Sequence, residues 1–123
     1  MTLQSGIWSV ESGEFTLTLQ GIDGADWRLK YEGILPEYYI TKEDIGDLGW
    51  RVGRRPAYFA PGRIITKGAY ENKNKHLPDA VGRVWYEADI NYEDGKRNTQ
   101  RIVWSNDGLI FVTYGYYVTC EMF

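Results

Sequence analysis

Residues 84–92 read VWYEADINY, and the alternation of side chains along this run decides the fold. One face of the run is mostly apolar and comprises Val84, Tyr86, Ala88, Ile90 and Tyr92. The other face is polar apart from one aromatic side chain and comprises Trp85, Glu87, Asp89 and Asn91. Successive side chains of a β-strand point to opposite faces. The run therefore predicts a strand that buries the first face and presents its carboxylates to solvent on the second.

Two further strand-like runs follow this one. Residues 99–105 (TQRIVWS) and 109–119 (LIFVTYGYYVT) are rich in the β-branched and aromatic residues that sheets favour. The three runs are separated by EDG at residues 93–95 and NDG at residues 106–108, both typical of hairpin turns. The C-terminal part of the chain is therefore predicted to form an antiparallel sheet.

Helical signals come before the strands. Residues 26–32 predict a short helix that ends at Gly33. A second helix is predicted to begin after Thr41, its capping residue, with Asp44 at the third helical position, and to end at Gly49. Helices followed by an antiparallel sheet predict an α+β domain, with N-terminal helices packed on a C-terminal sheet.

The length of 123 residues, 43% of them hydrophobic, suits one domain with its own core. We expect residues 25–123 to form this domain and residues 1–24 to form an N-terminal extension. The alternation of Phe15, Leu17 and Leu19 predicts a strand or hairpin within that extension. A Gly-x-Trp triplet near the N-terminus would also suit a small lipocalin-like barrel, but the predicted helices argue against a pure barrel.

Charge is unevenly distributed along the chain. The net charge of −3 counts against nucleic acid as a ligand, because phosphate contacts draw on a basic surface. Residues 51–63, however, contain four arginines and no acid, and residues 67–75 contain three lysines and one glutamate. The glycines and prolines of residues 51–62 predict a loop with at most one helical turn. The charge pattern is compatible with a local basic groove and with an ordinary solvated surface.

Targeting and redox signals are few. No apolar run approaches about 18 residues, so no membrane partner is expected. The first ten residues lack the features of a signal peptide. Cys120, the one cysteine, cannot form an internal disulfide and is expected to be a small buried hydrophobe. The single histidine, His76, lies far from it in sequence, so no metal site is expected.

The register of the predicted hairpin decides where its arginines point. A two-residue turn would direct Arg101 toward the core, where an unpaired charge is costly. A three-residue loop at residues 93–95, with its glycine in the left-handed conformation, instead pairs Glu87 with Arg101 and Asn91 with Arg97. We prefer this register, which places a carboxylate and two guanidiniums on the open side of the sheet.

This arrangement has two interpretations. It could be an exposed cross-strand ion pair, worth at most about 1 kcal/mol. It would also suit phosphate chemistry, because guanidiniums bind phosphoryl oxygens bidentately and a carboxylate can remove a proton from a hydroxyl. The pattern alone leaves both open.

Five strings then identify a family. The chain contains LPEYYITK (35–42), LGW (48–50), APGR (60–63), GRVWYEADINY (82–92) and RNTQRI (97–102). These strings occur in the order found in that family and at nearly the same spacing. Over residues 34–123 the chain resembles the barnase-type guanyl-specific microbial ribonucleases. The resemblance implies the α+β fold of these enzymes. It also implies metal-independent, cofactor-free cleavage of single-stranded RNA, in which the ribose 2′-hydroxyl attacks the adjacent phosphate to leave 2′,3′-cyclic phosphate ends.

The resemblance also implies catalytic roles. Glu87 would be the general base, and Arg97, Arg101 and Lys42 would stabilise the charged transition state. Tyr116 occupies the position of the family's histidine acid. Because free tyrosine has a pKa of about 10, it is protonated at neutral pH and can donate a proton. Its conjugate base is seldom available to activate water. We expect slower cleavage and a second, hydrolytic step that suffers more than the first.

Substrate binding follows from the same resemblance. The base-recognition residues would be Tyr70, Glu71, Asn72, Lys73 and Asn74, with Tyr117 beside the bound base. Asn74 replaces a family carboxylate that accepts from guanine, so a weak or altered guanine preference is expected. His76 is expected to be an exposed loop residue, although a rearranged loop could bring it in as the acid.

Two functional hypotheses remain. The first is an active endoribonuclease, a secreted or delivered toxin domain, acting as a monomer with RNA as substrate and a barstar-like acidic immunity protein as inhibitor. The second is a catalytically weakened or inactive relative that binds RNA or an inhibitor protein. Cleavage of RNA in the presence of EDTA distinguishes them.

Overall fold

The computed structural model describes residues 2–3, 8–10, 18–73, 75, 77–115 and 120–122. Its helices are a 3₁₀ turn at Gly21–Asp23, then α1 (Ala25–Glu32), α2 (Lys42–Asp47) and α3 (Pro56–Phe59). Its strands are β1 (Thr2–Leu3), β2 (Trp8–Val10), β3 (Tyr39–Thr41), β4 (Ile64–Tyr70), β5 (Trp85–Asp89), β6 (Arg101–Ser105), β7 (Ile110–Thr113) and β8 (Cys120–Met122).

These strands form one sheet in the order β1-β2-β8-β7-β6-β5-β4-β3. Neighbours from β4 to β8 run antiparallel, whereas β3 lies parallel to β4 and β2 lies parallel to β8. The predicted α+β class, with helices first and an antiparallel sheet after them, is confirmed. Phe15 and Leu17 lie outside the described residues. Leu19 is an exposed turn residue rather than part of a strand.

The two longer helices lie where the sequence predicts, although α1 begins one residue earlier, at Ala25, and α2 ends at Asp47, before the predicted end at Gly49. Gly33 ends α1 in the left-handed conformation, with φ of 76°, and its N–H donates to the carbonyl of Leu29. The hydroxyl of Thr41 accepts from the N–H of Asp44 at 3.0 Å, so the predicted cap of α2 is present. The cap fixes the first helical residue, Lys42, at the edge of the sheet beside β3. The single turn of α3 agrees with the predicted loop.

Apolar side chains cover both faces of the sheet. On one face, α1 packs against a cluster that includes Ala88, Ile90 and Ile102. On the other face, Trp85 is buried against Leu77, Val103 and Phe111. A third cluster lies under α2 and comprises Ile40, Ile45, Trp50, Ala60 and Ile65. The prediction that the second face of β5 is open to solvent is therefore wrong, since side chains from distant segments cover it.

The register between β5 and β6 differs from both turns considered. Asp89 pairs with Arg101, and Glu87 pairs with Val103. The connection therefore covers residues 90–100, and Ile90 N–H donates to the carbonyl of Gln100 across its base. The shift is two residues from the preferred register, so Arg101 still shares a face with both carboxylates.

Side-chain hydrogen bonds close this longer loop. The amide of Asn98 donates to Ile90 O at 3.0 Å and accepts from Gln100 N at 2.9 Å. Asn91, at φ of 59°, donates its amide to the Gln100 side chain at 2.6 Å. The predicted left-handed conformation of Gly95 is present, with φ of 80°. A broad loop therefore replaces the predicted tight turn, because amide side chains of the loop make hydrogen bonds with its backbone groups.

Along the described chain, no helix combines the length and the apolar character that crossing a bilayer would require.

Candidate active site

Four residues of one sheet face and its adjoining loop form a buried cluster of charges. Glu87 and Asp89 are two residues apart on β5 and therefore point to the same side. Arg101 begins β6 opposite Asp89, and Arg97 enters from the loop at residues 90–100. The carboxylates are only 5% and 2% exposed, so they require cationic partners. We call these four residues the acid–arginine cluster.

Asp89 is the carboxylate that directly binds both arginines. Its Oδ2 lies 2.6 Å from Arg97 Nε and its Oδ1 lies 2.7 Å from Arg97 Nη2, a bidentate pair. Arg101 Nε lies 3.1 Å from the same Oδ1. The predicted pairing of Glu87 with Arg101 is wrong, because the longer loop shifts β6 by two residues. Asp89 was assigned to the right face but given no role.

Backbone carbonyls hold Arg101 from its other side. Its Nη1 donates to the carbonyl of Asn98 at 2.7 Å and to that of Gln100 at 2.8 Å. The side chain is 7% exposed, compared with 20% for Arg97. The two guanidiniums are therefore fixed by different means and lie side by side on one carboxylate.

Lys67 approaches Glu87 from the neighbouring strand. Its Nζ lies 3.7 Å from Glu87 Oε1. The pairing of β4 with β5 shifts register between Thr66 and Gly68, a β-bulge at which Gly68 takes φ of 94°. Thr66 Oγ1 donates to the carbonyl of Glu87 at 3.0 Å on the other side of the bulge.

The sequence analysis counted Lys67 only among basic residues and missed this contact. A glycine inside a strand is the available signal for such a bulge.

Lys42 belongs to the same electrostatic neighbourhood. Partial burial lowers the pKa of its ammonium, and repulsion from Arg97 and then Lys67 lowers this pKa further. Attraction to Asp89 and Glu87 opposes the shift. The Nζ atom also lies 6.0 Å from the centre of the Trp50 ring. The structure thus brings four predicted residues, Glu87, Arg97, Arg101 and Lys42, into one region together with Asp89 and Lys67.

The predicted recognition loop leaves β4 next to Lys67. A surface pocket of about 410 Å³ is lined by Lys67, Ala69, Tyr70, Glu71, Asn72 and Lys73. Tyr70 packs partly buried against the apolar cluster around Trp85. Glu71 and Lys73 are exposed and form an ion pair at 3.0 Å. Lys67 thus both lines this pocket and contacts Glu87 of the acid–arginine cluster.

Asn72 has a structural task in this loop. It is 2% exposed with φ of 52°, and its side-chain oxygen accepts from Leu77 N at 3.0 Å. Its amide nitrogen donates to the carbonyl of Leu77 at 2.8 Å and to Asp79 Oδ1 at 3.0 Å. The side chain predicted to bind substrate is therefore engaged in closing the loop on itself.

The remaining predicted residues lie outside the described part of the chain. They are Asn74, His76, Tyr116 and Tyr117. Cys120 lies in β8, where the description covers the backbone alone. Among the side chains that the structure does describe, no group of three or more His, Cys, Asp and Glu residues could hold a metal ion.

Comparison with known proteins gives a consistent result. A sequence model of a family described as ribonuclease matches residues 28–120. A ribonuclease of Heyndrickxia coagulans is 43% identical over 103 residues, which is 83% of this chain and 92% of that protein. Ribonucleases of Bacillus intermedius and Bacillus pumilus are also 43% identical over 103 residues. The matched region spans 62% of the length of each of these two proteins.

Proposed function

The chain belongs to the barnase-type microbial ribonucleases and is an endoribonuclease, and from this we propose that it cleaves single-stranded RNA without a metal. The ribose 2′-hydroxyl attacks the adjacent phosphate, and the products end in a 2′,3′-cyclic phosphate. One observation supports this mechanism above all others. A buried carboxylate, Glu87, lies beside a set of cations fixed in place by a second carboxylate, Asp89.

Each group has a distinct task in the proposed reaction. Glu87 takes the proton of the 2′-hydroxyl as its oxygen bonds to phosphorus. Arg97, Arg101 and Lys42 stabilise the extra negative charge that the phosphoryl oxygens then carry. The bond from phosphorus to the 5′-oxygen breaks, and Tyr116 gives that oxygen a proton. Asp89 is a positioning residue, because it orients both guanidiniums before substrate arrives.

Base recognition is proposed for the pocket beside Lys67. Tyr70, Glu71 and Lys73 line it, and Asn74 and Tyr117 are expected to complete it. Because an amide at position 74 satisfies only part of guanine's hydrogen-bonding edge, guanine preference is weak or changed. Cleavage of oligonucleotides that differ only in the base 5′ to the scissile phosphate measures this preference.

The protonation of Lys42 gives a pH-dependence prediction. Its pKa is lower than that of an ordinary lysine, so its positive charge is lost at a lower pH. The pH profile of kcat/KM reports the pKa values of groups in the free enzyme. Its alkaline fall should therefore occur at a pH below the usual pKa of lysine. Lys42→Arg keeps the charge and should move this fall to higher pH. Profiles over about pH 6–11 provide the measurement, and an unmoved alkaline fall contradicts the assignment.

The decisive experiment uses a chimeric oligonucleotide with one ribonucleotide in a DNA strand, so that only one bond can react. The protein is incubated with it in EDTA, and the products are analysed for a 2′,3′-cyclic phosphate end. Circular dichroism establishes that each sample is folded. Absence of cleavage above a protein-free blank rejects the enzymatic mechanism and favours the second candidate, a weakened relative that binds RNA or an inhibitor.

Tyr116 is the specific reason to keep that second candidate. Replacing it with histidine supplies an acid whose free pKa, roughly 6.5, suits proton transfer in both directions near neutral pH. We expect Tyr116→His to raise kcat by about tenfold or more, with a larger gain in hydrolysis of the cyclic phosphate. The two steps are measured separately with RNA and with a nucleoside 2′,3′-cyclic phosphate. An unchanged or lower rate would mean that Tyr116 does not occupy the acid position, or that the site has evolved around tyrosine.

We also propose the biological setting implied by the resemblance. The enzyme is secreted or delivered as a toxin and acts as a monomer. It is inhibited by an acidic immunity protein that covers the acid–arginine cluster. Co-purification with an acidic partner, and loss of the complex in Arg97→Gln, would support this setting.

A further inference from the structure

A second cationic feature lies outside the acid–arginine cluster. Residues Gly53, Arg54, Arg55, Tyr58 and Phe59 line a surface groove of about 320 Å³. We call it the arginine–tyrosine groove. It belongs to the segment 51–63, which contains four arginines and no acidic residue in a chain of net charge −3. The proposed reaction uses none of these side chains.

The arginines of this groove differ from the others in the segment. Arg51 donates to the carbonyls of Gly46 and Trp50, and Arg63 donates to those of Tyr38 and Tyr39. Arg54 and Arg55 are exposed, and within the described residues neither side chain makes a hydrogen bond or ion pair. Their guanidiniums therefore have no structural task in the described fold.

An exposed aromatic ring stands beside them. The Tyr58 side chain is 81% exposed, and its ring contacts Phe59 edge-on with centroids 5.1 Å apart. Its backbone is fixed within the single turn of α3, which begins at the buried Pro56. Cations with an exposed aromatic ring are the combination that single-stranded nucleic acid requires, because phosphates pair with the cations and a base stacks on the ring.

The groove is tied to the catalytic region through one residue. The indole N–H of Trp50 donates to the carbonyl of Arg54 at 3.0 Å, and the same ring lies 6.0 Å from Lys42 Nζ. Trp50 is itself 3% exposed, so it holds both elements in a fixed relation. Trp50 therefore connects the backbone of the groove with the neighbourhood of Lys42, one of the cations proposed to stabilise the reacting phosphate.

We propose that the arginine–tyrosine groove is a subsite for RNA that flanks the scissile phosphate, with Arg54 and Arg55 on phosphates and a base stacked on Tyr58. This inference rests on the proposed ribonuclease function. It adds the expectation that kcat/KM rises with substrate length. Catalysis at the acid–arginine cluster alone would not require this dependence.

The test measures a ratio, the kcat/KM of an extended substrate divided by that of the dinucleotide. The substrates are a dinucleotide and chimeric strands in which the same ribonucleotide is extended by one to four deoxynucleotides on either side. The unaltered protein should show a ratio of about 10 or more for extension on one side. Tyr58→Ala should lower the ratio roughly 5-fold or more, toward the value near 1 that is expected without the subsite. Arg54→Gln with Arg55→Gln should lower it by a similar factor.

Salt dependence supplies a readout that a purely structural role would not change. Each phosphate contact in a single strand contributes about 0.7 to the slope of log K against log salt. The double arginine variant should therefore lose roughly 1.4 from this slope, measured by fluorescence anisotropy with an all-deoxy strand. The matched control, Arg28→Gln with Lys30→Gln on α1, removes two positive charges elsewhere and should leave both ratio and slope in place.

The outcomes separate the two proposals. If the unaltered protein cleaves neither substrate while the groove variants still weaken strand binding, the catalytic proposal fails and the groove stands as a nucleic-acid site. If the dinucleotide is cleaved but the ratio is near 1, or if the groove variants leave ratio and slope unchanged, the subsite is rejected. In that case the groove is better explained as a surface for an acidic protein.

Discussion

Replacing Glu87 with glutamine should lower kcat/KM for RNA cleavage by about 10²- to 10⁴-fold, the usual contribution of a general base. The change keeps the size of the side chain but removes the carboxylate that accepts the 2′-hydroxyl proton. Initial rates on the single-ribonucleotide strand in EDTA provide the measurement. The ion pair with Lys67 at 3.7 Å is lost as well, so thermal unfolding must show that the variant is folded.

The matched control for this variant is Glu32→Gln, the same chemical change at the exposed end of α1. Its rate should remain within about twofold of the unaltered protein, since surface substitutions away from a site have small effects. A folded Glu87→Gln variant that retains more than a fifth of the original rate would exclude Glu87 as the base. The acid–arginine cluster would then serve to bind RNA, and another group would take the 2′-hydroxyl proton.

Replacing Asp89 with asparagine should have the largest effect on stability. The substitution leaves Arg97 and Arg101 without the carboxylate that they share, and Arg101 is only 7% exposed. Removing one partner of a buried ion pair usually costs about 3–5 kcal/mol in the free energy of unfolding. That is a large part of the roughly 5–15 kcal/mol by which most domains are stable. Urea unfolding monitored by tryptophan fluorescence gives this free energy.

A second ion pair provides the control. Asp107 contacts Arg83 at 2.9 Å, but its side chain is 48% exposed. Asp107→Asn should therefore reduce stability much less than Asp89→Asn, because water compensates the charge that remains. Equal losses in the two variants would mean that burial of the acid–arginine cluster is not what makes Asp89 important. Under conditions where Asp89→Asn is folded, its cleavage rate should also fall, since the guanidiniums lose their common anchor.

Local signals in the sequence were enough to predict part of this structure. The cap at Thr41 and the end of α1 at Gly33 depend on neighbouring residues, and both are present. The preferred hairpin register gave the wrong partner for Arg101 but placed it on the correct face, that of the two carboxylates. That assignment depends only on whether the register is odd or even, which survives a shift of two residues.

The remaining features depend on contacts that a local pattern does not contain. The register was missed because Asn98 and Gln100 close a long loop with their side chains, a solution that the EDG turn signal did not indicate. The open face was wrongly predicted because Leu77 and Phe111 come from distant segments to cover Trp85. Lys67 reaches Glu87 through a bulge whose effect on side-chain direction could be seen only once β4 and β5 were paired.

The loop at residues 90–100 has a consequence for how this enzyme can evolve. Its closing amides also set the path that delivers Arg97 and the carbonyls that hold Arg101. A mutation at Asn98 would therefore be selected against twice, through the abundance of folded protein and through turnover. Substitutions at the exposed tip, residues 93–94, should affect neither folding nor turnover. Sequence drift among descendants should concentrate at that tip, where a surface recognised by an antagonist could change without loss of the enzyme.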